Sequence, residues 1–162
     1  MAQSAYLTVV GQKQGAITGG VTVKGQEGSI EVHAFSESVV SPRDPTTGLP
    51  TGKRQHSPVT IVKEIDKSSP MLMTALVNNE NLTTWVLKFF GTDATGKQVQ
   101  TYTVTLTNAS IASIAESLLD NEIPANVSLP LREEITFTYQ KIQWTWMDGG
   151  ITATDDWQSP VA

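Results

Sequence analysis

Apolar and polar residues alternate with period two along much of this chain. In Thr101-Tyr102-Thr103-Val104-Thr105-Leu106-Thr107 the Tyr, Val and Leu point one way and four threonines the other. That is the pattern of a strand with one buried face, built from residues that suit a pleated surface. Similar alternation runs through 6–10, 29–40, 59–65, 84–90 and 134–147. Turn chemistry separates these runs: Asp93-Ala94-Thr95-Gly96 lies between two of them, and Asp148-Gly149-Gly150 ends the last long one. Within 134–147 the phase changes. Ile135, Phe137 and Tyr139 are apolar at odd positions, then Ile142, Trp144 and Trp146 at even ones. The shift predicts a bulge near Gln140-Lys141, or a strand that leaves one layer and enters another.

One helix interrupts the strands. In Asp66-Lys67-Ser68-Ser69-Pro70 the serine before the proline is the expected N-cap, and the proline takes the first helical position, where its missing N–H costs nothing. Leu72, Ala75 and Leu76 then form a short apolar stripe, and Asn78-Asn79 suits the stop. The segment 110–119 reads as a strand end followed by a loop, because 120–130 is rich in Asn and Pro. With 162 residues, enough to enclose a core, the expectation is one mostly β domain spanning 1–162, with a short α-helix at about 69–78.

The segment 41–58 breaks the pattern. Its four prolines forbid a central strand, and a connection of this length in a compact domain is functional or disordered. Charge singles it out as well. The chain carries a net −5, yet this segment is basic, with Arg43, Lys53 and Arg54 against Asp44, whereas the surplus of acid lies in 111–162. The loop is a basic island on an acidic body.

Little in the sequence points to catalysis. The chain has no cysteine, which removes disulfides, thiolate metal sites and cysteine nucleophiles. His33 and His56 are the only histidines and neither has a second ligand at metal spacing. Glu133-Glu134 and Asp155-Asp156 are adjacent pairs whose members face opposite sides of a strand, so they do not converge on one bond. The acidic balance argues against nucleic acid as a partner, and no stretch is long and apolar enough to span a bilayer. Residues 1–6 show no basic start and apolar h-region, so the expectation is cytoplasmic synthesis without a Sec-type signal. No cofactor is expected. Trp85, Trp144, Trp146 and Trp157 read either as core and interface packing or as a stacking platform of a monomeric, secreted β-sandwich module that binds carbohydrate or protein.

Four stretches, in order, resemble one family. They are Gly28-Ser29-Ile30-Glu31-Val32, the loop with Thr47-Gly48 and Gly52-Lys53-Arg54-Gln55-His56-Ser57-Pro58, then Lys63-Glu64-Ile65-Asp66-Lys67-Ser68-Ser69-Pro70, and Tyr139-Gln140-Lys141-Ile142-Gln143-Trp144-Thr145-Trp146-Met147-Asp148-Gly149-Gly150. Together they resemble the hemolysin-coregulated protein family, the tube subunit of the bacterial type VI secretion system. The resemblance implies a two-sheet β-barrel carrying one helix, ring-shaped homohexamers that stack into a tube, and a structural rather than enzymatic role. It also implies a surrounding contractile sheath, a spike protein at the tip, small effector proteins in the lumen, and export without a cleaved signal. On this resemblance the loop, through Pro42, Arg43, Asp44, Gly48, Lys53, Arg54 and His56, is the expected ring-stacking element, and Ser36 is a candidate lumen and cargo contact. The acceptor for the basic loop is expected on the acidic third of the next ring, at Glu133, Glu134, Asp155 or Asp156.

Overall fold

The computed structural model describes residues 3–157. In chain order the strands are β1 (Ser4–Gly11), β2 (Gly15–Ile17), β3 (Ile30–Val32), β4 (Ala34–Ser36), β5 (Val39–Val40), β6 (Gln55–His56) and β7 (Val59–Glu64). The helix α1 (Ser69–Val77) follows, then β8 (Leu82–Thr92), β9 (Gln98–Thr107), β10 (Ser110–Ser117), β11 (Arg132–Thr138), β12 (Lys141–Trp146) and β13 (Ile151–Asp156). One sheet has the order β13-β12-β9-β8-β1-β2, with β3 also paired to β1; a second has the order β10-β11-β7-β4. Every pairing is antiparallel, and the short pair β5-β6 stands apart from both sheets.

The core fills the space between the sheets. Leu7, Trp85, Leu87 and Val104 come from the first, Ile61, Ile135 and Phe137 from the second, all fully buried. Trp85 and Phe137 meet across the layers edge to face, with centroids 5.4 Å apart, a contact that adds to the burial itself. Alternation placed these side chains. In β7 the residues Val59, Ile61 and Lys63 are buried while Thr60, Val62 and Glu64 are not.

The chain passes from one sheet to the other at corners, and one of these explains the phase change in the sequence. β11 belongs to the second sheet and β12 to the first; between them Tyr139 and Gln140 turn, and the Gln140 N–H donates to the Thr107 carbonyl at 3.1 Å. The run 29–40, expected as one strand, is broken for the same reason. β3 pairs with β1 and β4 with β7, and the His33 N–H between them donates to the Val62 carbonyl at 2.8 Å. A third corner follows β9 at Asn108, whose φ of 51° lies in the left-handed region that asparagine tolerates.

Three expectations change. Residues 110–119 were expected to be a strand end and loop, yet β10 is a strand of eight residues along an edge of its sheet, carried by its pairing with β11. β13 was not anticipated, because its first four residues are all exposed and no burial pattern marks them. The N-cap is Ser68 rather than Ser69. Asp66 takes over the capping work by accepting from the Ser68 amide at 2.9 Å and from the Ser68 hydroxyl, which frees Ser69 for an interior contact.

That contact belongs to a buried ion pair. Lys63 Nζ lies 2.5 Å from Glu133 Oε1, and neither side chain reaches solvent. The ammonium also donates to Ser69 Oγ at 3.1 Å and to the Glu64 carbonyl at 2.9 Å, while Ser69 Oγ donates to Glu133 at 2.9 Å. The pair joins β7, β11 and the start of α1. Lys63→Met, which strands the Glu133 charge, is expected to cost about 3–5 kcal/mol in urea unfolding, and adding Glu133→Leu is expected to recover most of that loss.

Candidate assembly site: a hairpin arm and the cluster that holds it

The segment 41–58 is not an irregular loop but an ordered hairpin. Val39 pairs with His56 and Val40 with Gln55, Arg43 bridges to Pro50, and the Thr51 N–H donates to the Pro42 carbonyl at 3.0 Å. Prolines keep this ribbon out of the main sheets, since they cannot donate to a ladder. The tip is closed by Asp44. Its Oδ1 accepts from the amides of Thr46 at 2.7 Å and Thr47 at 3.3 Å, its amide donates to the Leu49 carbonyl, and Gly48 supplies the turn with a φ of 73°. Asp44 and Gly48 therefore shape the tip, while Arg43, Leu49 and Lys53 are exposed along it.

The base of the arm is fastened to the body by a polar and aromatic cluster. Asp155 Oδ2 on β13 accepts from Arg54 Nε at 2.5 Å and lies 2.6 Å from His56 Nε2. The other ring nitrogen of His56 meets the Tyr139 hydroxyl at 2.8 Å, and Arg54 also donates to the Asp156 carbonyl at 2.9 Å. Trp157 covers the imidazole, with centroids 5.3 Å apart, and donates its indole N–H to the Tyr139 carbonyl. His56 is left with 1 % of its side chain exposed.

The charges tune one another. The Arg54 hydrogen bond holds the Asp155 carboxyl below its ordinary range; partial burial opposes this and His56 reinforces it. Burial, with the charges of Glu37 and Asp155, pushes the Tyr139 phenol up to about 12, so it remains a neutral hydroxyl. The cluster works as a latch between the arm and the body.

The fold has known counterparts. The family model described as "Type VI secretion system effector, Hcp" matches residues 6–146. The chain belongs to the Hcp family. A protein of Pseudomonas aeruginosa named "Major exported protein" is 40% identical over 171 residues, covering 100% of this chain and 99% of that one. Among solved structures, an Hcp protein crystal structure superposes with a TM-score of 0.90 at 27% identity, covering 98% of this chain and 100% of that chain. Hcp1 of the E. coli EAEC 042 pathovar superposes with a TM-score of 0.85 at 31% identity, covering 96% and 99%.

Within this Hcp chain, the residues singled out from the sequence are distributed as follows. Pro42, Arg43, Asp44, Gly48, Lys53, Arg54 and His56 all lie on the arm or at its base. Ser36 is exposed at the end of β4, beside Phe35, which packs edge to face on Phe89 at 5.3 Å. The acidic acceptor surface needs correction. Glu133 is 1 % exposed and neutralised by Lys63, so it offers nothing to another subunit. Asp155 is occupied by Arg54 and His56 of its own chain, and Asp156 accepts from Gln140 and, through its carbonyl, from Arg54. Only Glu134 of the four stands exposed on the outer face of β11. The tryptophans are split among the core (Trp85), the latch (Trp157) and one face of β12 (Trp144 and Trp146), which leaves no shared platform of four.

Sequence reasoning missed Tyr139 and Trp157 as partners of the arm. Tyr139 carried a signal, since it sits at the phase change where the chain must turn. In limited proteolysis, Asp155→Asn is expected to raise cleavage within 43–53 several-fold at neutral pH, for a loss of about 1–2 kcal/mol in arm docking. Because Asp155 has a lowered folded-state pKa, its contribution is complete above the unfolded carboxyl value and fades as pH falls through the folded one; the wild-type arm should stay protected at pH 5–9 and loosen below about pH 4, whereas Asp155→Asn should show no such step.

Proposed function

We propose that this chain is the tube subunit of a type VI secretion system, assembling as hexameric rings that stack through the arm of residues 41–58. Family membership over residues 6–146 supports the secretion role. The observation that carries the stacking role is the arm itself. It is an ordered ribbon outside both main sheets, fixed at its base by Asp155 and presenting exposed Arg43, Leu49 and Lys53. A flexible loop would lose ordering entropy on docking, and the latch removes most of that cost in advance.

Open edges favour assembly. β10 and β13 are edge strands of eight and six residues, each with one side unpaired among the described residues. Such edges in a lone domain invite pairing with another chain, and lateral contacts within a ring cover them. In this reading Ser36 and the Phe35–Phe89 pair face the lumen, where small effector proteins travel; a contractile sheath surrounds the tube and a spike protein caps it. Export runs through the machine itself from the bacterial cytoplasm to the medium or a target cell. The work is structural, with no reaction assigned to the subunit.

Negative-stain electron microscopy of the purified protein tests this. Rings with sixfold symmetry, and stacks of them at high concentration, are expected; a monodisperse monomer at high concentration would overturn the reading. Replacing 43–52 with a Gly-Ser turn, which keeps Arg54 and His56, should leave single rings intact and abolish stacks.

A further inference from the structure

The arm needs a seat, and three of the four acidic residues first expected to provide it, Glu133, Asp155 and Asp156, are engaged within their own subunit. Strand register shows where the other end of the subunit lies. The arm leads directly into Val59 at the start of β7, and Phe137 opposite Val59 leads to Tyr139 in the latch. At the far end of the same strands Arg132 faces both Glu64 and Ser117. The segment 118–131 therefore sits at that far end, some six residues or about 17–20 Å along the sheet from the arm's base. The Ile65 N–H ties it there by donating to the Leu131 carbonyl at 3.1 Å.

This segment has an unusual surface. Leu118, Leu119, Ile123, Val127 and Leu131 are between 44% and 68% exposed. They are held in place rather than left loose: Asp120 Oδ1 accepts from the Glu122 amide at 3.0 Å, its carbonyl accepts from the Asn126 side chain at 3.1 Å, and a 3₁₀ turn runs over Pro124–Asn126. Exposed, ordered apolar side chains in this number mark an interaction site. The segment contains Asp120 and Glu122 and no lysine or arginine, and neither acid meets a cation among the described residues. Beside it a cleft is lined by Leu119, Leu129, Glu134 and Arg132, whose Nε is buried without a hydrogen-bond partner.

We propose that the segment 118–131 is the seat for the arm of a second copy of this chain. The arm offers what the seat lacks. Arg43 and Lys53 have no ion-pair partner among the described residues and complement Asp120, Glu122 and Glu134, and Leu49, 64% exposed at the tip, matches the leucine-rich surface. Because arm and seat lie at opposite ends of one sheet, the contact is head to tail and propagates along an axis instead of closing into a dimer. This rests on the stacking role proposed above for the arm and names its receptor.

Charge reversal in the full-length protein tests it. The Asp120→Lys, Glu122→Lys double variant should form normal rings but lower stacking by about tenfold at low salt, and adding Arg43→Glu and Lys53→Glu should restore stacks. In the otherwise unchanged, cysteine-free chain, Leu49→Cys with Val127→Cys should give ladders of covalent multimers on oxidation, and neither single variant should. Stacks that survive charge reversal, with no ladder from the paired cysteines, would overturn the seat and leave the stacking role of the arm standing. Loss of stacking on charge reversal that the arm reversal does not rescue would assign the segment to another partner. Stacks that also survive replacement of 43–52 would overturn the arm's role, and the seat with it.

Discussion

Asp155 stands where three separated parts of the chain meet: the base of the arm, the corner at Tyr139, and the last edge strand. One carboxylate oxygen serves both Arg54 and His56, and the imidazole passes the connection on to the Tyr139 hydroxyl. An arm without that anchor would be a hinged ribbon of proline and glycine. With it, the ribbon has a defined direction relative to both sheets, because Asp155 is in register with Ile142 of the first sheet and Tyr139 follows directly from β11 of the second. The stacking contact proposed for the arm requires that constancy, since repeated copies must meet at the same angle.

The corners explain how so small a body provides both an anchor and opposed ends. Two of the crossings between sheets use one or two residues whose backbone groups bond across the layers, as His33 does to Val62 and Gln140 does to Thr107. The strands on either side can then present alternating faces to a common core without a long connection. The second sheet acts as a ruler, with the arm's root at one end of β7 and the segment 118–131 at the other. The buried Lys63–Glu133 pair sits near that second end and ties α1 to it through Ser69. Ionic pairing inside the protein contributes less to stability than apolar packing of equal volume, yet it penalises any register in which one partner faces the core alone.

Charge summed along the sequence and charge placed on the surface differ here in an instructive way. The C-terminal third is strongly acidic by count, but Glu133 is consumed inside the protein and Asp155 by the arm of the same chain. The acids that remain outward lie partly in a segment whose asparagines and prolines first marked it as a plain loop. A net charge describes attraction at a distance; which pair forms is decided within hydrogen-bond reach.

Much of this was legible from residue order, since it follows from relations between near neighbours. Alternation marked β1, β7, β8 and β9, the change of phase announced the crossing between β11 and β12, and the serine-proline step located α1 to within one residue. Even the burial of Glu133 and Lys63 was written in parity, as Glu133 shares its face with Ile135 and Phe137, and Lys63 with Val59 and Ile61. The family, too, could be recognised from motifs in order. What the sequence left open were the partnerships across long separations. Arg54 and Asp155 are 101 positions apart, and His56 and Tyr139 are 83. No local rule joins such residues; only the crossing of the chain between two sheets brings them within 3 Å. The tertiary structure alone therefore decided that the proline-rich segment is a fastened arm, and which acids remain exposed on the surface.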